Sequence, residues 1–133
     1  MAAQDHVTGL ATRRDFEDWL AECESLAGLA FLIVDVVGLK QANEARGFLA
    51  GDDLLRAAAA RLREAATAAL IAARLGGDEL IAVFRRAEEA ERVLRSLAAA
   101  DEPPRLRGAL AAGTAADTRE TLIDRLYATV RRS

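Results

Sequence analysis

Three carboxylates stand where apolar runs stop. Asp35 lies at the end of the run Leu29 to Val36, and Asp78 and Glu79 follow directly on the pair Gly76-Gly77. If the next run, Leu80 to Phe84, lies beside the first, Asp35 and Asp78 come close together. Adjacent carboxylates repel, and one takes up a proton unless a cation sits between them. A divalent ion held by one or two carboxylates plus phosphate oxygens is the usual magnesium arrangement. Two such ions can activate an attacking hydroxyl and stabilise the departing group in phosphoryl transfer. Acidic residues beside glycines also form ordinary solvated turns, so spacing alone leaves both readings open.

The rest of the inventory narrows the chemistry. One cysteine (Cys23) and one histidine (His6) exclude an intrachain disulfide and a typical structural zinc site. Metal chemistry here must therefore use oxygen ligands, with magnesium, manganese or calcium first. Net charge is −3 and the basic residues are scattered, which argues against nucleic acid as a partner. Lys40 is the only lysine against seventeen arginines, a bias of composition that makes Lys40 stand out. With 133 residues, 52% hydrophobic and 29% charged, the chain fits one domain, residues 1–133, with a single core. It carries no apolar run of roughly 20 residues and no signal-peptide pattern at its start. The expectation is a soluble cytoplasmic protein without a membrane partner.

The elements that must position these groups follow from periodicity. Phe16, Trp19, Leu20, Cys23 and Leu26 recur at helical spacing, predicting a helix over Arg13–Ala27 that stops at Gly28. Phe16, Trp19 and Phe84 are expected in the core, and Cys23 as a buried small hydrophobe. Leu29 to Val36 reads as a strand covered on both faces. Val37 to Arg46 reads as a short helix or turn ending at Gly47. Asp52–Ala66 is an amphipathic helix that Asp52 would cap. Ala69–Arg74 and Leu80–Phe84 flank Gly76-Gly77, a hairpin signal because tight turns demand positive φ. A helix over Arg86–Ala100, a loop at 101–104, a strand over Arg105–Gly113 and a helix over Asp117–Arg131 complete the order α, β, α, α, β, β, α, β, α. That order implies an α+β, ferredoxin-like two-layer sandwich with a mostly antiparallel sheet and helices packed on it.

The segment D-H-V-T-G-L-A-T-R-R-D-F, beginning at Asp5, resembles the D-x-L-T-G-L-x-N-R-R-x-F entry of GGDEF domains. From Asp35 to Asp52 the sequence is similar to their D-x-D-x-F-K-x-x-N-D-x-x-G-H-x-x-G-D segment, and R-L-G-G-D-E-L from Arg74 is similar to R-Y-G-G-D-E-F. Three motifs in order and at the right spacing are far more specific than one, and the resemblance runs from Asp5 to about Tyr127.

This resemblance implies a palm-type fold and diguanylate cyclase chemistry, in which two GTP molecules condense into cyclic di-GMP with release of pyrophosphate. It implies a homodimer, each subunit holding one GTP, and control by a sensor or effector protein. By position, Asp35, Asp78 and the carbonyl of Val36 would ligate Mg2+ or Mn2+. Glu79 would assist deprotonation of the 3′-hydroxyl or bind the second ion, and Lys40 would neutralise phosphate charge. Asn43 and Asp52 would bind the guanine edge, and Gly76 and Gly77 would let the backbone approach the nucleotide.

The chain departs from the family pattern at several positions. Val37 replaces the second aspartate of D-x-D, Gly38 the aromatic after it, Glu44 an aspartate and Phe48 the histidine of G-H-x-x-G-D. Leu80 replaces the last phenylalanine of the signature. Near the C-terminus Ile123 and Val130 stand where an aspartate and a phosphate-gripping lysine are expected, with Arg131 or Arg132 as replacements for that charge. The stretch Ile81 to Arg107 is short for the family. Thr67 and Leu70 occupy the product-inhibition motif, so feedback at that site is not expected. With no sensor segment ahead of it, the chain reads as an excised domain or a minimal stand-alone protein. The alternative to a cyclase is a degenerate module that binds GTP or a protein partner as a regulator without turnover.

Overall fold

Strand β1 (Ala30–Val36) is the centre of the molecule, and its near-unbroken apolar sequence is explained by helices on both of its faces. The computed structural model describes residues 4–132, with side chains described through Thr129. In chain order the elements are α1 (Arg13–Glu22), β1, α2 (Leu39–Arg46), α3 (Phe48–Ala65), β2 (Ile71–Arg74), β3 (Glu79–Phe84), α4 (Ala87–Ala98), β4 (Leu106–Ala112) and α5 (Arg119–Arg132). The sheet order is β2-β3-β1-β4 with every pair antiparallel, the strand order of a ferredoxin-like βαββαβ unit.

The α+β class and the antiparallel sheet expected from the sequence are both present. Leu32, Val34, Leu80, Ala82 and Phe84 face one way, against Leu55, Ala58, Ala59 and Leu62 of α3 and Ala90, Val93 and Leu97 of α4. Phe31, Ile33, Ile81 and Val83 face the other way, against Phe16 and Leu20 of α1 and Leu122 and Leu126 of α5. The expected two layers thus gain a third. The period-2 alternation of a strand separates these two apolar sets.

Several boundaries differ from the sequence reading. Helix α1 stops at Glu22, five residues before Ala27. Cys23 turns to extended backbone, and the Ser25 hydroxyl accepts from the Ala27 N–H at 3.1 Å, a local bond that competes with helix continuation. Leu26 is still buried, delivered by this loop. Cys23 is half-buried, its thiol donating to the Trp19 carbonyl at 3.3 Å, and Trp19 packs at the edge of the second cluster.

Helix α3 starts at Phe48, four residues before Asp52, so Asp52 lies in its second turn and caps nothing. The break before it is set by Gly47 at φ 86°, a left-handed value that glycine adopts without strain. The Gly-Gly hairpin forms, yet neither Gly76 nor Gly77 has positive φ. The connection spans Leu75 to Asp78, closed by the Leu75 N–H donating to the Glu79 carbonyl at 2.8 Å, so it is longer than a tight two-residue turn. The positions proposed for the missing lysine, Val130, Arg131 and Arg132, lie outside the residues whose side chains are described.

Candidate functional site

The C-terminal end of β1, the turn into β3, helix α2 and the first turns of α3 meet at one end of the two central strands. Asp35 and Glu79 are cross-strand partners in the β1–β3 ladder, so their side chains share a face. Next along, the Val36 N–H donates to the Asp78 carbonyl at 2.9 Å, which fixes the turn against the strand end. The backbone thus sets the strand end that carries Asp35 and Val36 beside the turn that carries Asp78 and Glu79.

Electrostatics register the same convergence. Burial pushes the Glu79 carboxyl above its ordinary value of 4.5, and the negative charges of Asp78 and Asp35 push it further, while the Arg13 guanidinium opposes them. Glu79 is half-buried and Asp78 exposed. Among the described residues, no three His, Cys, Asp or Glu side chains form a ready-made metal cluster. The donors are all oxygens, the kind a hard cation takes, and a pair of carboxylates is the number that leaves coordination positions for phosphate oxygens and water.

Beside these groups opens a cavity of about 390 Å³ lined by Leu39, Lys40, Asn43, Glu44, Phe48, Gly77 and Asp78. It brings together Lys40, Asn43, Gly77 and Asp78 of the predicted set. Asp52 lies one helical turn beyond Phe48 on α3, half-buried. A Cβ added at Gly77 would meet nothing within 4 Å, so the fold itself does not require glycine there and the space above the turn stays open. At Gly76 the nearest atom to an added Cβ is Glu79 Oε1 at 3.5 Å, an ordinary contact.

Three supporting arrangements escaped the sequence reading. Asn43 is seated against Gly51, where an added Cβ would lie 1.7 Å from Asn43 Oδ1. Arg74 braces the turn, its Nε donating to the Gly76 carbonyl at 3.0 Å and its Nη2 to the Gly77 carbonyl at 2.9 Å. Its Nη1 reaches Asp5 at 3.2 Å, and Asp5 also accepts from the backbone and hydroxyl of Thr8 at 2.8 Å each. On the α1–α5 face, Arg13 stacks over the Tyr127 ring at 4.6 Å and pairs with Glu17 at 2.9 Å. Only Arg74, fixed just ahead of the glycine pair, carried a signal in the sequence.

A ferredoxin-order sheet with acidic groups converging beside an open cavity narrows the class, and sequence comparison supplies the family. Residues 2–114 match the family model described as "Diguanylate cyclase, GGDEF domain". The chain belongs to the GGDEF family. It is 34% identical over 96 residues to the bifunctional diguanylate cyclase/cyclic di-GMP phosphodiesterase MucR of Pseudomonas aeruginosa, covering 68% of this chain and 14% of that protein. A sensory box/GGDEF family protein from Caulobacter crescentus superposes with TM-score 0.70 at 35% identity, over 92% of each chain. The GGDEF domain of DgcB from Caulobacter crescentus, solved in complex with c-di-GMP, superposes with TM-score 0.75 at 22% identity, over 96% of this chain and 87% of that one, and shows the shared fold. The chain spans between 10% and 14% of the length of the curated relatives it matches.

Proposed function

We propose that this domain binds GTP with Mg2+ or Mn2+ and condenses two GTP molecules into cyclic di-GMP, with the sites of two copies facing each other in a homodimer. The observation that carries this reading is the pairing of Asp35 with Glu79 across β1 and β3, next to Asp78, which lines a cavity together with Lys40, Asn43 and Gly77.

Asp35, Asp78 and the Val36 carbonyl would hold the cation. When bound, such an ion screens phosphate charge and makes a nearby hydroxyl more acidic. The chain supplies the rest. Glu79, whose proton affinity is raised by its surroundings, accepts the proton of the 3′-hydroxyl. That oxygen then bonds to the α-phosphorus of the other GTP, the bond to the β-phosphate bridging oxygen breaks, and pyrophosphate leaves. Lys40 offers a positive charge to the phosphates as negative charge builds there. The Asp52 carboxylate accepts from guanine N1–H and N2–H together, a donor pair that adenine lacks, and the Asn43 amide completes the edge. Gly76 and Gly77 let the backbone come close to the nucleotide.

A second reading, a nucleotide-binding regulator without turnover, is favoured by one observation. Ile123, at the position where the family carries an aspartate, packs against the apolar cluster under α5 and offers no polar atom to the site. In either reading the domain works in the cytoplasm, and a sensor or effector protein would bring two copies together. No helix among the described residues is long and apolar enough to cross a membrane.

The test is incubation of purified protein with GTP and Mg2+ or Mn2+, followed by chromatography of the products. Cyclic di-GMP and pyrophosphate, abolished in Glu79→Gln and rising per subunit with protein concentration, are expected. GTP binding without product supports the regulator, and absence of GTP binding refutes both.

A further inference from the structure

The chain has four phenylalanines, and three of them, Phe16, Phe31 and Phe84, are at most 1% exposed. The fourth, Phe48, is 81% exposed on the first residue of α3. It is not stranded on a bare surface. Phe48 lines the same cavity as Lys40, Asn43, Gly77 and Asp78, and Leu39 adds a second apolar wall. Four residues along α3, on the same helical face, stands Asp52.

A cavity with apolar walls and amide and carboxylate groups at its margin suits a planar heteroaromatic ring. Its faces are apolar and polarisable, and its edge carries hydrogen-bond donors and acceptors. A single residue cannot satisfy both needs, and here they are divided. Asn43 in the lining and Asp52 one turn beyond Phe48 carry groups suited to an edge, whereas the Phe48 ring offers a face. Phe48 also sits where an exposed aromatic would otherwise face water.

We infer that Phe48 is the stacking platform for the nucleobase, its ring lying against the base whose edge Asn43 and Asp52 bind. This rests on the guanine-nucleotide reading above and assigns it a residue that replaces the family's histidine at that position. Stacking on an aromatic side chain depends on the base and is indifferent to the phosphate tail. The contribution of Phe48 must therefore vanish when the base is removed from the ligand. A role in starting α3, or in contacting a second copy, carries no such dependence.

The experiment uses the full chain and 3′-deoxy-GTP, which keeps the base and the triphosphate but has no 3′-hydroxyl to cyclise, with ribose 5-triphosphate as the ligand without a base. Calorimetric titration of Phe48→Ala is expected to show 3′-deoxy-GTP affinity reduced about tenfold. Ribose 5-triphosphate should bind the variant and the native chain equally. Phe48→Trp should retain the affinity, and its emission above the Trp19 background should be quenched when the base is present and unchanged by ribose 5-triphosphate. Native affinity for 3′-deoxy-GTP in Phe48→Ala, with loss in Asp52→Ala, overturns the stacking role and leaves the guanine reading standing. Equal losses for both ligands overturn it in favour of a structural role. A change in sedimentation with affinity unaltered overturns it in favour of a contact between copies. Failure of the native chain to bind 3′-deoxy-GTP overturns both readings.

Discussion

Gly51→Ala separates the stability of α3 from the competence of the site. Gly51 is the fourth residue of an 18-residue helix, and alanine is the better helix former by about 0.8–1 kcal/mol. On helical grounds alone the change would raise the thermal midpoint, by about 3–5 °C for a domain of this size. The new Cβ, however, would lie 1.7 Å from Asn43 Oδ1 and 2.6 Å from its Cγ. Both atoms belong to the end of a rotatable side chain, so the clash is relieved by Asn43 swinging away and not by moving α2 off α3. The helix gains and the amide leaves its seat. Losing the base contacts of one amide costs about 1–2 kcal/mol, or roughly five- to thirtyfold in affinity. Thermal denaturation and GTP titration of the same preparation measure the two effects independently. The expected pattern is a midpoint unchanged or higher with affinity at least fivefold lower. Native affinity in a stable Gly51→Ala protein would refute the claim that Asn43 must occupy this position to read the base.

Two further outcomes concern pH. Because the folded chain holds a proton at Glu79 above the ordinary carboxyl value of 4.5, the native state binds more protons than the unfolded state just above that value. Stability therefore falls as pH rises through the folded-state value. The midpoint difference between Glu79→Gln and the native chain should widen in favour of the variant from pH 4 to pH 7, and Mg2+ should shrink it. No pH dependence of that difference would contradict the crowding of carboxylates described here. Asp117 shows the opposite sign. The Arg125 guanidinium, bonding it at 2.8 and 3.0 Å, together with the Thr114 N–H at 2.8 Å, holds its carboxyl well below the ordinary 3.8. Its contribution is present above about pH 4 and lost as pH falls below it. Asp117→Asn should cost about 1–2 kcal/mol in denaturant unfolding at pH 7 and less in acid, with GTP affinity unaltered.

Strand and helix identity were legible because burial imposes period on sequence. The run Leu29 to Val36 announced a strand covered twice over, and both covering layers are present. The three carboxylates were legible because charged residues at the ends of apolar runs are conspicuous. Boundaries were less legible. The end of α1 is decided by the Ser25 hydroxyl and by where Leu26 must go, and the start of α3 by Gly47, which carries a backbone break of its own. The glycine pair misled about its own conformation: it reads as a demand for positive φ, whereas Gly77 leaves open space instead. Asn43 against Gly51 was invisible because it is a contact between two helices, with no pattern within either. Phe48 stood out in the sequence only as a departure from a motif. Its exposure could not be read from residue type, since phenylalanine is ordinarily a core residue.

One guanidinium joins Asp5 to the turn of the candidate site. Arg74 grips Asp5 with one nitrogen and the carbonyls of Gly76 and Gly77 with the other two. Asp5 is 69 positions away in sequence from Arg74, yet only a side chain's length from the turn that carries Asp78. Damage at Asp5 is therefore expected to loosen the turn that carries Asp78 and to register as a lesion of the candidate site. Mapping such alleles by linear position would place them in the wrong part of the protein's workings.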